Sequence, residues 1–312
     1  MNRFRWLWLV LLGWLAVVSA PSLAWAQDVT DAVWHDEARN RDVPVRIYVP
    51  ASGTPPFPVI VFSHGLGGSR EGYSYLGKYW SAHGYVSVHV QHLGSDSAVT
   101  TSPAAMKAAM ADPANYANRP KDISFAIDRL TALNQDGGPL QGKLDLARLG
   151  VAGHSFGAYT TMAIAGGSYR LFQQGLADPR VKAVVAMSIP HLVGTSYASV
   201  RVPALHFTGT EDTIHIAAQD DVRHRRDGFD QSPGPDTYLV IFQGGDHMVF
   251  SGRSPLLQPE RKERDQRFQD LVCRGSTAFW DAYLKGDAQA KAWMADGDFA
   301  SALGASATFE KK

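Results

Sequence analysis

The chain has 312 residues, 45% hydrophobic and 19% charged, and its 30 basic residues are balanced by 30 acidic ones. Such a composition is that of an ordinary globular protein; it offers no basic surplus for nucleic acid and no acidic tail, so no nucleic-acid partner is expected. A single cysteine, Cys273, excludes an internal disulfide, and its apolar-periodic surroundings point to a core thiol rather than a nucleophile.

The chain opens with Arg3 and Arg5, an apolar run from Trp6 to Ala20, and then the small-residue signature Ala24-Trp25-Ala26. This is the pattern of a signal peptide over residues 1–26, cleaved after Ala26; the run is short for a membrane span, so no stable membrane insertion is expected afterwards. Removing Arg3 and Arg5 leaves 28 basic residues against 30 acidic, a net charge of about −2. Export without a disulfide fits a bacterial periplasm or bacterial secretion. Residues 27–312 show no internal repeat and no dividing linker, and read as one domain.

Two β segments come first, Val29 to Trp34 and Val43 to Val49, joined by the polar stretch 36–41 as an antiparallel pair. Val59-Ile60-Val61-Phe62 is continuously apolar, as in a strand buried on both faces, and runs into Ser63-His64-Gly65-Leu66-Gly67-Gly68. Residues 71–83 read as a helix with Tyr75, Leu76, Tyr79 and Trp80 on its apolar stripe, capped by Gly84. Tyr73 and these aromatic residues would line an acyl pocket or, more commonly, a buried helix face. A strand from Tyr85 to Val90 follows. The excursion at about 91–120 carries a short helix around Met106, Ala109 and Met110, and loops of that length in compact domains are often binding loops or lids. Lys121 to Leu133 is an amphipathic helix, with Arg119 and Asp122 read as a local pair at its start. Three more buried strands are expected at Val181 to Met187, Val202 to Phe207 and Thr237 to Phe242, the last of the sheet. A long helix from Pro259 to Leu284 closes the domain and residues 304–312 read as a tail. Strands alternating with helices after an antiparallel start predict an α/β fold with a mostly parallel central sheet covered by helices on both faces.

The chemistry gathers on Gly153-His154-Ser155-Phe156-Gly157, a G-x-S-x-G pentapeptide between an expected strand and an expected helix. That setting projects a serine hydroxyl from a tight turn, and the glycines let helix and strand approach. A serine needs a base, and the base needs an orienting acid. The strand at 204–207 ends in Thr208-Gly209-Thr210-Glu211-Asp212. Neighbouring side chains of an extended segment point opposite ways, so only one of the two carboxylates can face the base. The last expected strand ends in Gln243-Gly244-Gly245-Asp246-His247, which places His247 as the base. Serine, acid and histidine then follow in the chain order of the α/β-hydrolase arrangement. An oxyanion hole would take one amide from Phe156 and the other from the glycine loop, at Leu66.

These segments resemble the α/β-hydrolase superfamily over essentially the whole chain after residue 26. Within it the chain is similar to bacterial dienelactone-hydrolase-like proteins, platelet-activating-factor acetylhydrolases, and bacterial cutinases and polyester hydrolases. The residues that carry this are FSHGLGG at 62–68, GHSFGA at 153–158, VPALHFTGTEDTI at 202–214 and GGDH at 244–247. The resemblance favours Asp212 over Glu211 as the acid. The acetylhydrolases take their acid one strand earlier, where this chain has Ser188-Ile189-Pro190-His191 and no carboxylate; the position of Asp212 is cutinase-like. Cutinases carry a substrate-contacting tryptophan at the place of His191, which marks His191 as a candidate substrate-pocket residue, the alternative being a plain loop residue. Dienelactone hydrolases proper use a cysteine, and the serine here argues against that reaction.

The resemblance implies an exported serine hydrolase of carboxylic esters that works through an acyl-enzyme, with Ser155, Asp212 and His247 catalytic and no cofactor required. Its partners would be small-molecule, lipid or polymer esters. A lipase, cutinase or phospholipid deacylase acting on larger acyl groups is the neighbouring alternative, and a non-catalytic ligand-binding protein the more distant one. His64 and His154 read as structural, and His206 as a core histidine. His215 and His224 with Asp220 and Asp221 match no standard ligand spacing, and His224-Arg225-Arg226 reads as solvated surface, so no metal site is expected.

Overall fold

A computed structural model describes residues 28–170, 175–214, 221–252 and 259–312. The signal peptide expected over 1–26, together with His215 and Asp220, lies outside the described residues. In chain order the elements are β1 (Asp28–Asp36), β2 (Arg41–Val49), β3 (Phe57–Ser63), α1 (Ser74–Ala82), β4 (Val86–Val90), α2 (Pro103–Ala111), α3 (Pro113–Leu133), β5 (Leu144–His154), α4 (Phe156–Ile164) and β6 (Ser168–Tyr169). Then follow β7 (Val181–Met187), β8 (Thr195–Ser196), β9 (Ala204–Glu211), α5 (Asp227–Gln231), β10 (Thr237–Asp246), α6 (Pro259–Leu284), α7 (Ala288–Ala295), α8 (Asp298–Leu303) and β11 (Ala307–Lys311).

Nine strands form one sheet in the order β1-β2-β4-β3-β5-β7-β9-β10-β11. The block from β4 to β10 is parallel throughout, while β1, β2 and β11 run antiparallel to their neighbours. The mostly parallel sheet and its antiparallel N-terminal pair agree with the sequence pattern. Within β3 the alternation divides the core: Val59 and Val61 pack with Ile123, Ile127 and Leu130 of α3 on one face. Ile60 and Phe62 pack with Leu76 and Trp80 of α1 and with Phe279 and Trp280 of α6 on the other. Two covered faces are why that strand is apolar at every position.

The strands expected to end at Phe207 and Phe242 run on to Glu211 and Asp246, and α7 and α8 follow the long helix unannounced; two further differences reach deeper. Residues 304–312 are not a tail: β11 pairs with β10 from Tyr238↔Lys311 to Phe242↔Ala307, so β10 is not the last strand. The half-buried Glu310 and exposed Lys311 of β11, with Lys312 just after it, disguise it, and such charge is common on an edge strand. Helix α3 begins at Pro113 rather than Lys121 and carries Pro120 inside it. A proline there frees the carbonyl four residues back. That carbonyl, of Tyr116, accepts a hydrogen bond from the Tyr159 hydroxyl at 3.1 Å, so the helix continues through. Arg119 and Asp122 are therefore mid-helix and turn to separate partners: Asp122 accepts from Arg39, Arg41 and His92, clamping the β1-β2 hairpin to α3.

Cys273 is buried, as expected for a core thiol, and burial pushes its pKa up. His206, in β9, is also buried, and among the described residues neither ring nitrogen has a hydrogen-bond partner. Burial, and to a lesser extent the charge of Lys312, lowers its pKa to about 3. An unfolded histidine titrates near 6.5, so between these values the unfolded chain binds a proton that the folded chain refuses. The contribution of His206 is intact above about pH 6.5 and is lost as pH falls toward 3. His206→Leu is expected to flatten the pH dependence of stability by about 1.4 kcal/mol per pH unit between roughly pH 5.5 and 4, measured by urea unfolding at several pH values. An unchanged slope would contradict this.

Candidate active site

Ser155 sits between β5 and α4 with φ 56° and ψ −119°, a conformation that L-residues rarely adopt. The flanking glycines allow it. A Cβ on Gly157 would stand 1.9 Å from the Ser63 carbonyl oxygen, and one on Gly153 would stand 2.3 Å from that of Gly157. The Ser155 N–H donates to the Met187 carbonyl at 2.9 Å, which ties the turn to β7.

The structure brings the three expected side chains into line. Ser155 Oγ lies 2.9 Å from His247 Nε2, and His247 Nδ1 lies 2.8 Å from Asp212 Oδ1. With Nδ1 protonated and donating to the carboxylate, Nε2 is left to accept the serine proton. Glu211 is exposed while Asp212 is fully buried, the outcome that alternation along the end of β9 requires.

Asp212 is held by more than the imidazole. Its Oδ1 also accepts from Ser188 Oγ at 2.8 Å and from Arg225 Nε at 3.2 Å, and its Oδ2 from Thr208 Oγ1 at 2.8 Å. Burial alone would raise this carboxyl's pKa. The His247 hydrogen bond and charge, the Arg225 guanidinium and the Ser188 hydroxyl outweigh it and hold the group well below the usual carboxylate range. Ser188, with φ 55°, also sits 2.6 Å from His247 Nδ1. It follows β7, where no carboxylate exists, and its hydroxyl meets the carboxylate supplied by the next strand. Arg225 corrects the reading of its tripeptide as solvated surface: it is 1% exposed, and also donates to the carbonyls of Asp212 and Ile189.

His154 and His64 are both buried and tied to the backbone. His154 Nε2 donates to the His247 carbonyl at 2.9 Å, and its Nδ1 meets the Tyr73 hydroxyl at 2.8 Å, which in turn accepts from the Gly65 N–H at 3.3 Å. This chain links the base loop, the serine turn and the glycine loop. His64 Nδ1 donates to the Gly65 carbonyl at 2.6 Å, while its Nε2 accepts from the His92 N–H at 3.0 Å. Burial first, then Arg119 and His92 beside His64 and the His247 imidazole beside His154, holds both imidazoles neutral, with pKa values well below the ordinary 6.5.

Arg119 is fully buried beneath the same loop. It donates to the hydroxyls of Ser63, Ser95 and Thr160 and to the His64 carbonyl, and its guanidinium stacks 4.4 Å from the Phe156 ring centroid. Burial lowers its pKa to about 9. Leu66 and Phe156 both border the cavity above Ser155. The Phe156 N–H opens α4 and so has no carbonyl one turn back to bond.

That cavity has a volume of about 230 Å³ and is walled by Leu66, Met106, Met110, Tyr116, Leu192 and Ile214, with Ser155, His247 and His191 at its edge. Met106 and Met110 come from α2, so the excursion after β4 does reach the site. Tyr73 borders the cavity but also belongs to the buried cluster that holds Trp80, with Tyr75 and Tyr79 partly buried against it, so the aromatic stripe is chiefly a buried helix face.

Sheet order, serine turn and residue order together give this chain the α/β-hydrolase fold. Residues 24–121 match the family model described as platelet-activating factor acetylhydrolase, isoform II. The chain is 25% identical to the platelet-activating factor acetylhydrolase of Cavia porcellus, over 82% of this chain and 64% of that protein. It is 26% identical to cutinase 2 of Thermobifida cellulosilytica, over 54% of this chain and 52% of the cutinase. It is also 26% identical to cutinase cut1 of Thermobifida fusca, over 54% of this chain and 43% of that protein. The matches thus span less than two-thirds of each relative's own length.

Removing one partner of a buried charge pair strands the other charge. Arg225→Met is expected to cost about 3–5 kcal/mol of stability, measured by chemical denaturation. A loss below about 1 kcal/mol would mean that the guanidinium does not balance Asp212.

Proposed function

We propose that the chain is an exported serine hydrolase of carboxylic esters. The observation that carries this is the unbroken line from Asp212 through His247 to Ser155 at the edge of an apolar cavity. In this reading Ser155 Oγ attacks the ester carbonyl while His247 Nε2 takes its proton. Asp212 keeps Nδ1 protonated and stabilises the imidazolium as it forms. The amides of Leu66 and Phe156 donate to the oxyanion, an interaction that strengthens as charge develops. Collapse of the tetrahedral adduct expels the alcohol, protonated by His247, and leaves Ser155 acylated. Water, deprotonated by His247, then releases the acid.

The names of the relatives, an acetylhydrolase and two cutinases, describe hydrolysis of esters and support the reaction class. A cavity of about 230 Å³ lies below the roughly 300–1,000 Å³ typical of sites for drug-sized ligands. It favours short acyl groups over long lipid chains. Export is supported by the pattern of residues 1–26 and is compatible with there being no helix, among the described residues, long and apolar enough to cross a membrane.

Hydrolysis of p-nitrophenyl esters of increasing acyl length by the wild type is expected to peak at acetyl to butyryl, and Ser155→Ala to lose at least about 10⁴-fold in kcat. A peak at long chains would favour a lipase or deacylase; turnover that persists in Ser155→Ala would refute the mechanism.

A further inference from the structure

His191, on the loop after β7, and His224, just ahead of α5, bring their rings together at 3.8 Å between centroids, 23° from parallel. Both turn Nδ1 toward one oxygen, Asp227 Oδ2, at 3.3 and 3.2 Å. Among the described residues this is the only group of three such donors whose ligating atoms lie within 4.8 Å of one another. The sequence hides it, since His191 is more than thirty residues from the other two.

The distances are informative. The other histidine–carboxylate hydrogen bonds among the described residues are shorter, 2.8 Å for His247–Asp212, 2.7 Å for His35–Asp42 and 3.0 Å for His92–Asp122. Charge-assisted bonds of this kind run at about 2.7–2.9 Å. A tetrahedral ion with bonds near 2.05 Å separates its ligands by about 3.3 Å. The Asp227 oxygen stands at that separation from both nitrogens. Nearby arginines carry partners of their own: Arg223 with Asp221, Arg225 with Asp212, and Arg226 with Asp230 and Glu310.

We propose that His191, His224 and Asp227 form a binding site for a borderline divalent cation of the Zn²⁺ class. Once the stacked rings rotate so that both in-plane Nδ1 lone pairs face one ion, two imidazoles and a carboxylate supply three positions of a tetrahedron, leaving the fourth to water or a substrate oxygen. His191 also borders the cavity that holds Ser155, so an ion here fixes one wall of that cavity. The site is independent of the ester-cleaving chemistry, which assigns the ion no step.

The test uses the full protein stripped of metal with a chelator and titrated with zinc sulfate by isothermal calorimetry, with His224→Ala and Asp227→Asn in parallel. These side chains are partly exposed, so both variants are expected to fold, which their thermal unfolding without metal checks. Expected is one saturable site in the wild type, weakened at least about tenfold in each variant, with zinc raising the wild-type Tm more than that of either variant. Calcium and magnesium, which prefer all-oxygen ligation, are expected to give no comparable binding. Absence of saturable zinc binding, or equal binding by wild type and both variants, would overturn the site. Neither readout depends on hydrolysis, so failure here is separable from failure of the esterase reading.

Discussion

A carboxylate removed from water must be surrounded by donors, and the requirement of Asp212 for them sets the arrangement of the site. Fully buried at the end of β9, it draws in His247 from the end of β10, Ser188 from the end of β7, Thr208 from its own strand, and Arg225 from the segment before α5. Each donor lowers the cost of keeping the charge there. The charge in turn dictates which nitrogen of His247 carries the proton, and so which one faces Ser155. The buried guanidinium of Arg225 is the counterweight without which an ionised Asp212 would be difficult to keep.

A second constraint is backbone proximity. The turn at Ser155 brings Gly157 so near the Ser63 and His64 carbonyls that no side chain fits between them. The glycine loop, the serine turn and the loop of His247 are then stitched by His154 and Tyr73, neutral groups that add no charge beside Asp212, His247 and Ser155. Arg119 supports the same loop from below through hydroxyls and a carbonyl. Placement of Leu66 and Phe156 above Ser155 is thus a consequence of packing and hydrogen bonds that extend well beyond Ser155, His247 and Asp212.

What the sequence revealed and what it hid follow from the range of the interactions involved. Ser155, Asp212 and His247 each close a local pattern, a β run ending in a polar or glycine turn, and could be read one segment at a time. The two-faced burial of β3 was legible for the same reason. Ser188, Arg225 and Arg119 act through contacts set by tertiary packing; a serine after a strand, or an arginine beside other charges, looks the same in solvent as in a core. Pro120 suggested a helix start, because its cost is cancelled only by Tyr159, on another helix. The edge strand β11 was masked by the charge that keeps edge strands soluble. The meeting of His191 with His224 and Asp227 depends on two loops converging.

The central claim is that His247 and Asp212 make Ser155 a nucleophile. The most direct measurement is to treat the protein with a fluorophosphonate and locate the adduct by peptide mass spectrometry, with His247→Ala alongside. The account predicts a single stoichiometric adduct on Ser155 that forms far more slowly when His247 is removed. No adduct on Ser155, an adduct elsewhere, or labelling that is indifferent to His247 would contradict it.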